Sequence, residues 1–358
     1  LGYMSSKFIG IKVVSEMKPG RRALAIVAAI VWAELALVGF AWTRGPWSGA
    51  WLLLNGLPLG MVWGLVFSFL EGRRQTELLG AGLSASYIVA SGVVKSVGRW
   101  VLSLGFSESA MPALVGLMFF PVLLLFVYAL SRLPPPSERD EAERIARKPM
   151  SAEQRRAFLF SHGPGLALLT TLYFFLTAYR DFRDNFAREL WDALGYANEP
   201  SIFAWSELPV ALGVLAALAA FTLIKDNRRA LLHIHDLMAA GTVLVGASTF
   251  DYQQALIGPV AWMITVGLGL YLAYVPYGCV LFDRMIATVG TVATAGFMIY
   301  VTDAVGYLGS VSVYFYKTFG QPDLSWRAFF IAFSYVTAAV CTACFVASRS
   351  YFAATTAR

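Results

Sequence analysis

The chain has 358 residues, 58% of them hydrophobic and 14% charged, with a formal net charge of +6 and a mean hydropathy of +0.63. Soluble domains carry about 25% charged residues, so this composition excludes a water-soluble globular protein. The basic residues lie in short breaks beside apolar stretches, where they set membrane orientation, which excludes a nucleic-acid-binding face, and three cysteines in apolar context (Cys279, Cys341, Cys344) exclude a disulfide framework.

A helical span needs about 20 apolar residues, and hydrocarbon admits only helices or closed barrels because backbone groups must be satisfied internally. In chain order the apolar stretches predict helices at 1–17, 23–43, 48–70, 78–104, 109–131, 158–180, 202–224, 231–250, 256–282, 287–316 and 327–347. The fold class expected is an all-α, polytopic membrane helix bundle of 11 spans with no separate soluble domain. Residues 1–17 read as the cytoplasmic half of a helix whose start is missing, in an N-terminally truncated chain without a signal-peptide pattern. Placing the break at 18–22 in the cytoplasm and alternating from there puts 18 basic residues inside and 6 outside, a positive-inside bias. Trp42, Trp47, Trp51, Trp100, Trp191, Trp205 and Trp326 then gather at the outer boundary as an aromatic belt.

Glycines at 56, 60 and 64 recur every four residues in the third stretch, which suits either a sliding contact or close static packing. Residues 132–157 open with Pro134-Pro135-Pro136 and close on Ser151-x-x-Gln154, a capping box, and read as a solvated cytoplasmic linker. Arg183 to Trp191 reads as a helical extension lying at the outer surface. A segment in the first cytoplasmic break, Lys18-Pro-Gly-Arg21-Arg22-Ala23-Leu24, returns as Lys225-Asp-Asn-Arg228-Arg229-Ala230-Leu231, and Glu71-Gly-Arg73 is echoed by Asp283-Arg284. Two echoes in step on either side of one linker suggest a duplicated membrane domain.

With these features the chain resembles the Major Facilitator Superfamily, and the stretch from Ser6 to Glu16 looks like a bacterial branch of it, with a fainter similarity to nucleotide translocases. Lys18, Gly20, Arg21 and Arg22 match the family's basic loop, although the acid stands one place early, at Glu16, and the leading glycine is Val13. The resemblance implies two six-helix halves with the first helix absent: a bundle at 1–131 holding helices two to six, the linker at 132–157, and a bundle at 158–350 holding helices seven to twelve. It further implies a central cavity and a monomer in the cytoplasmic (inner) membrane of a bacterium.

Ionisable groups at mid-membrane cost about 2.5–3.5 kcal/mol on insertion scales and face a cavity or a partner. Three helices carry polar stripes at steps of three and four, hence on single faces: Ser84, Tyr87, Ser91, Lys95 and Arg99; Thr170, Tyr173, Thr177, Arg180 and Asp184; and Tyr300, Asp303, Tyr307, Ser310 and Tyr314. Under the resemblance these are the fifth, seventh and eleventh helices, which border the cavity. Lys7 lies roughly 15 Å from the cytoplasmic end at 1.5 Å per residue, with Tyr3 one turn away. Lys7, Lys95 and Arg99 form a basic set able to bind an anionic solute, the arginine fork suiting carboxylate or phosphate. Asp303 is a coupling proton site or a counter-charge. The other reading is that these charges pair and hold the bundle together.

The candidate substrate-binding residues are therefore Lys7, Tyr87, Ser91, Lys95, Arg99, Tyr173, Tyr300, Asp303 and Tyr307. Glu16, Lys18, Arg21, Arg22, Glu71 and Arg73 form a candidate inner gate, or serve orientation alone. Arg180 and Asp184, with Asp181 and Arg183 beside them, form a candidate outer gate or a solvated helix end. Lys12 and Glu16 are spaced for a local pair, Glu34 for a helix–helix hydrogen bond, and Glu207 to complement a helix dipole. Tyr271, Tyr274 and Tyr277 around Pro276 line the cavity, flex it, or pack the core. His162, His233 and His235 sit at cytoplasmic helix edges. His233-x-His235 cannot turn both rings to one face, so no metal site is expected, and no cofactor.

The expected function is secondary active transport of a small anionic solute by alternating access. No nucleotide-binding loop of the GxxxxGK[ST] kind occurs in the sequence, and no nucleophile–base set points to an enzyme. A non-transporting binding or sensory membrane protein is the alternative, followed by a membrane-embedded enzyme.

Overall fold

A computed structural model describes residues 2–15, 17–70, 76–134, 156, 158, 160–289 and 295–356. Every element among the described residues is helical. Before the expected linker come α1 (Gly2–Ser15), α2 (Arg22–Trp42), α3 (Ser48–Leu70), α4 (Thr76–Ser103) and α5 (Met111–Ser131). After it come α6 (Gly163–Asn185), α7 (Ala187–Ala193), α8 (Ile202–Phe221), α9 (Asn227–Gln253), α10 (Pro259–Tyr274), α11 (Phe282–Val289), α12 (Ala295–Phe315) and α13 (Trp326–Thr355). Eight helical stretches among the described residues are long and apolar enough to cross a membrane. The chain is thus an all-α, multi-pass membrane bundle, as its hydropathy predicts.

The boundaries follow local chemistry. Proline stands in the first turn of α5, α6 and α10, where its missing N–H costs nothing and its fixed φ suits a helix. Asp226 caps α9 by accepting the Arg229 N–H at 2.7 Å, and Ser325 caps α13 by accepting from Ala328. The capping box at Ser151 and nearly all of the linker lie outside the described residues.

Three sequence expectations need correction. The break expected after the 256–282 stretch does not fall at Arg284: after a π-helical turn at Tyr277–Leu281, α11 carries Asp283 and Arg284 within a helix reaching Val289. The helix continues because Phe282 and Met285 bury one of its faces while Arg284, on another, donates to Asn227 Oδ1 at 2.8 Å. The segment after α6 is not laid out on the surface. It turns into α7, whose Ala187, Leu190 and Trp191 are buried. Trp191 therefore leaves the aromatic belt for the core, whereas Trp42, Trp47, Trp100 and Trp205 are exposed, as a belt requires.

The chain divides into two compact units: residues 1–76 with 93–144, and residues 77–92 with 145–358. In the first, α3 packs against α1 and α2, and α2 packs against α5. Lipid is as apolar as leucine, so such contacts rest on close van der Waals packing rather than on hydrophobic exclusion. Small residues provide it: a Cβ on Gly56 would lie 2.8 Å from the Tyr3 nitrogen, and one on Gly60 2.7 Å from the Tyr3 carbonyl oxygen and the Ser6 side chain. The outer faces of α2 and α5 are correspondingly apolar and exposed, with Leu24, Trp32, Leu35, Leu125 and Phe126 turned out. Soluble monomers rarely show contiguous apolar surface on this scale.

In the second unit α9 packs on α10 and α13, α6 on α12 and α13, and α8 on α10. Its core is dense in aromatic rings. Tyr252 stacks on Trp262 with centroids 4.1 Å apart, Tyr179 stacks on Phe330 at 5.1 Å, and Phe182 meets Phe329, Phe330, Phe333 and Trp326. Gly241 and Gly269 bring α9 and α10 close enough that a Cβ on either would lie 2.5 Å from the other's carbonyl oxygen.

Candidate functional site

The polar stripes of α6 and α12 meet inside the second unit because α12 is small where it crosses α6. A Cβ on Gly306 would fall 2.5 Å from Thr177 Oγ1, and one on Gly309 2.6 Å from the Phe174 carbonyl oxygen. With the backbones this close, the flanking polar residues of α12 reach their counterparts on α6. Tyr173 O–H donates to Asp303 Oδ1 at 2.8 Å, and Ser310 Oγ donates to Asp181 Oδ2 at 2.6 Å.

From Tyr173 the network passes to α10. The Tyr173 and Tyr274 hydroxyl oxygens are 3.0 Å apart and their rings stack with centroids 5.3 Å apart. Arg180 donates from Nη1 to the Tyr274 hydroxyl oxygen, its guanidinium carbon 4.5 Å from that ring's centroid. Two more N–H groups of Arg180, on Nε and Nη2, go to Asp181 Oδ1 at 2.9 and 2.5 Å. A chain of six side chains thus runs Asp303–Tyr173–Tyr274–Arg180–Asp181–Ser310, every link a hydrogen bond. Its charges are met by partners, as burial demands.

The residues 77–92 of α4 that belong to this unit add two further candidates. Ser91 Oγ donates to Asp184 Oδ1 at 2.7 Å, and the Tyr87 ring meets the Tyr271 ring edge-on at 6.3 Å between centroids. Tyr307 lies partly buried on α12, electrostatically coupled to Arg180. Tyr300 lies on the same helix, its side chain outside the described set. A cavity of about 580 Å³ runs along α6 from Gly163 to Phe174, with Thr170, Thr171 and Val305 in its wall.

In the first unit, Lys7 is 8% exposed with its ammonium 5.4 Å from the centroid of the Tyr3 ring. Lys95 and Arg99 lie partly buried on the remaining turns of α4. Of the inner-gate candidates, Lys18 and Arg21 are exposed. Arg22 donates from Nη1 to the Ser68 carbonyl at 2.9 Å, bonding one of the last carbonyls of α3, as basic residues do at helix C-termini. Glu16, Glu71 and Arg73 lie outside the described residues.

Several partners were not legible in the sequence. Glu207, read as a dipole complement, instead forms an ion pair with Arg183, Nη1 to Oε1 at 2.8 Å, and Arg183 Nη2 donates to the Met263 carbonyl at 3.2 Å. Arg183 is buried, so it does not belong to a solvated helix end. A Cβ on Gly267 would lie 2.7 Å from Arg183 Nη2, so glycine leaves room for the guanidinium. Among the described residues the helix–helix hydrogen bond expected of Glu34 is not found: its carboxylate abuts Gly116 of α5, and Oε1 is buried without a partner. The polar link beside it comes from Asn55, which donates to the Ala33 carbonyl at 2.9 Å. Of the three tyrosines around Pro276, Tyr274 enters the hydrogen-bonded chain while Tyr277 donates to the Leu169 carbonyl at 3.0 Å. His235 is buried, its ring nitrogens bonded to the Leu231 carbonyl at 2.7 Å and Ser348 Oγ at 3.1 Å. Among the described residues no group of three His, Cys, Asp or Glu side chains could hold a metal ion.

A family model described as a family of unknown function (DUF5690) matches residues 1–355. No curated protein sequence matches the chain. Among solved structures, that of a D-xylose-proton symporter aligns with a TM-score of 0.57 at 16% identity, over 95% of this chain and 84% of that one. The major facilitator superfamily proton:xylose symporter XylE, bound to 6-bromo-6-deoxy-D-glucose, gives 0.55 at 16% identity over 96% and 84%. The human organic anion transporter MFSD10 (TETRAN) aligns at a TM-score of 0.46 with 15% identity over 99% and 82%. The two symporter structures place the chain in the major facilitator fold.

Proposed function

The chain belongs to the DUF5690 family, a family of unknown function, and we propose that it is a secondary transporter moving a small anionic solute by alternating access. The observation that carries this reading is the hydrogen-bonded chain from Asp303 to Asp181. Two carboxylates, one guanidinium and two phenols are brought together on α6, α10 and α12. Such groups are costly in a membrane and mark solute or proton paths there. The two symporters whose fold the chain shares are secondary transporters by name, which fits a protein without a nucleotide-binding loop.

In this reading Lys7, Lys95 and Arg99 supply positive charge to the solute, with Tyr87, Ser91, Tyr173, Tyr300 and Tyr307 as hydrogen-bonding and ring contacts. Asp303 is the site of a coupling proton. Glu16, Lys18, Arg21, Arg22, Glu71 and Arg73 act as the inner gate, and Arg180 and Asp184 as the outer one. The protein works as a monomer in a bacterial cytoplasmic membrane. The departure at Val13 and Glu16 from the family's loop pattern favours one competing reading, a sensory membrane protein that binds the solute without moving it.

The deciding experiment reconstitutes the full chain into liposomes and measures uptake from a library of labelled anions, with and without an inward proton gradient. The gradient should stimulate uptake, and Arg99→Ala should abolish it at unchanged expression. Binding without uptake by the parent chain would instead support the sensory reading. Uptake that survives Arg99→Ala would remove the basic set from the binding site.

A further inference from the structure

Four interior phenols of the second unit have their hydroxyls spoken for. Tyr173 and Tyr274 belong to the hydrogen-bonded chain, Tyr179 pairs with Ser334, and Tyr277 donates to the Leu169 carbonyl. Tyr271 differs. It is 3% exposed, and its hydroxyl lies in the field of Asp184, Glu207 and Arg183 with no hydrogen bond among the described residues.

Two more polar atoms at this junction of α6, α8 and α10 are unspent. The Arg183–Glu207 ion pair uses Nη1 and Oε1, at 2.8 Å, and Nη2 goes to the Met263 carbonyl. Arg183 Nε and Glu207 Oε2 are buried without a hydrogen-bond partner among the described residues. The junction thus holds two unmet donors, Tyr271 O–H and Arg183 Nε–H, and one unmet acceptor, Glu207 Oε2. Buried polar groups are bonded in nearly all folded proteins, and each exception needs an occupant or a reason.

The donor and acceptor count selects the occupant. A hydroxyl oxygen accepts two hydrogen bonds and donates one, so a single hydroxyl meets all three groups. A carboxylate has no proton for Glu207, and an ammonium has no lone pair for Arg183 or Tyr271. The junction also borders the candidate solute face of α4. There the Tyr87 ring meets the Tyr271 ring edge-on, and a Cβ on Gly92 would lie 3.0 Å from Glu207 Cγ.

We infer that Tyr271, Arg183 and Glu207 form a subsite for a hydroxyl group of the solute, which makes the transported anion a hydroxylated carboxylate. Tyr271 is the specificity residue: it donates to the solute hydroxyl, and that hydroxyl donates to Glu207 Oε2. The carboxylate of the same solute binds outside the subsite. Arg183 Nε and Glu207 Oε2 are sealed in the conformer described, so the subsite is that of an open state, entered past the Tyr271 hydroxyl. Water offers the same donor and acceptors, and only a solute hydroxyl makes solute preference depend on them. The inference rests on the transporter reading and narrows its solute class.

The full chain in liposomes is tested with labelled carboxylates in matched pairs differing by one hydroxyl: glycolate and acetate, lactate and propionate, 3-hydroxybutyrate and butyrate. Uptake is read as half-saturation concentration, and binding as thermal stabilisation of the purified full chain. The hydroxylated member should be preferred in at least one pair. Tyr271→Phe keeps the ring against Tyr87 and removes a hydroxyl that bonds nothing within the fold, so it should leave folding intact. It should raise half-saturation for the hydroxylated member roughly 3- to 10-fold more than for its deoxy partner, the worth of one neutral hydrogen bond. Tyr277→Phe, which loses a hydroxyl already spent on Leu169, should move both members alike. No preference in any pair, or a preference untouched by Tyr271→Phe, overturns the subsite, and uptake in that case leaves the transporter reading standing. A preference in binding that Tyr271→Phe narrows, without uptake, keeps the subsite and sinks the transporter reading. Neither binding nor uptake of any pair overturns the subsite.

Discussion

Arg183 and Glu207 show how a buried charge behaves when its partner sits on another helix. The side chains are 3% and 14% exposed, and a second donor of Arg183 is held by the Met263 carbonyl. Breaking such a pair leaves an uncompensated charge and costs about 3–5 kcal/mol, whereas replacing both members with apolar residues is often neutral. Arg183→Met should therefore lower the melting temperature of the detergent-solubilised protein markedly, and Arg183→Met with Glu207→Leu should recover most of the loss. A double variant as unstable as the single one would mean the pair contributes nothing. Neither residue's role could be read from spacing, because Arg183 stands among three other charges within five residues and only the fold selects which of them turns inward. Arg180 has the same history. Its periodicity identified a polar face, but its bond to Tyr274 needed the end of α10 to arrive beside α6.

The element that makes these meetings possible is α12. Gly306 and Gly309 leave its backbone against α6, so that Asp303 and Ser310 reach Tyr173 and Asp181. Gly306→Leu would press a branched side chain onto Thr177 and the Tyr173 ring, an overpacking that costs about 1–3 kcal/mol. It should lower the melting temperature of the detergent-solubilised protein, and Gly306→Ala should do so more mildly. An unchanged melting temperature in Gly306→Leu would show that the packing of α12 on α6 does not depend on this approach. On α3, Gly56 and Gly60 perform a comparable service against Tyr3 and Ser6 of α1. Here the sequence supplied the glycine spacing but could not say which helix lay opposite. It also misjudged the end of the 256–282 stretch, because charges were read as a loop where Phe282 and Met285 hold a helix together.

For the whole molecule, the distribution of basic residues predicts that the turns at 18–22 and 225 face the cytoplasm and the turn at 104–110 faces outward. Ser107 and Lys225 are exposed turn residues suited to the check. In right-side-out vesicles a membrane-impermeant maleimide should label Ser107→Cys, and should label Lys225→Cys only after permeabilisation. The parent chain sets the background, with Cys279 and Cys341 buried and Cys344 partly so. Reversed labelling would invert the topology and with it the assignment of inner and outer gates.

Hydropathy and periodicity alone establish a helical membrane bundle, roughly where its spans lie, and which faces of α4, α6 and α12 are polar. Those properties depend on hydropathy and on the 3.6-residue period, both of which are local. Tertiary packing was needed to join Tyr274 to Tyr173 and Arg180, Glu207 to Arg183, and the Glu34 carboxylate to Gly116. Each of those contacts joins residues 24 or more positions apart in the chain. Their formation depends on how closely two backbones approach, which is set by small side chains on both helices together and is written in neither helix alone.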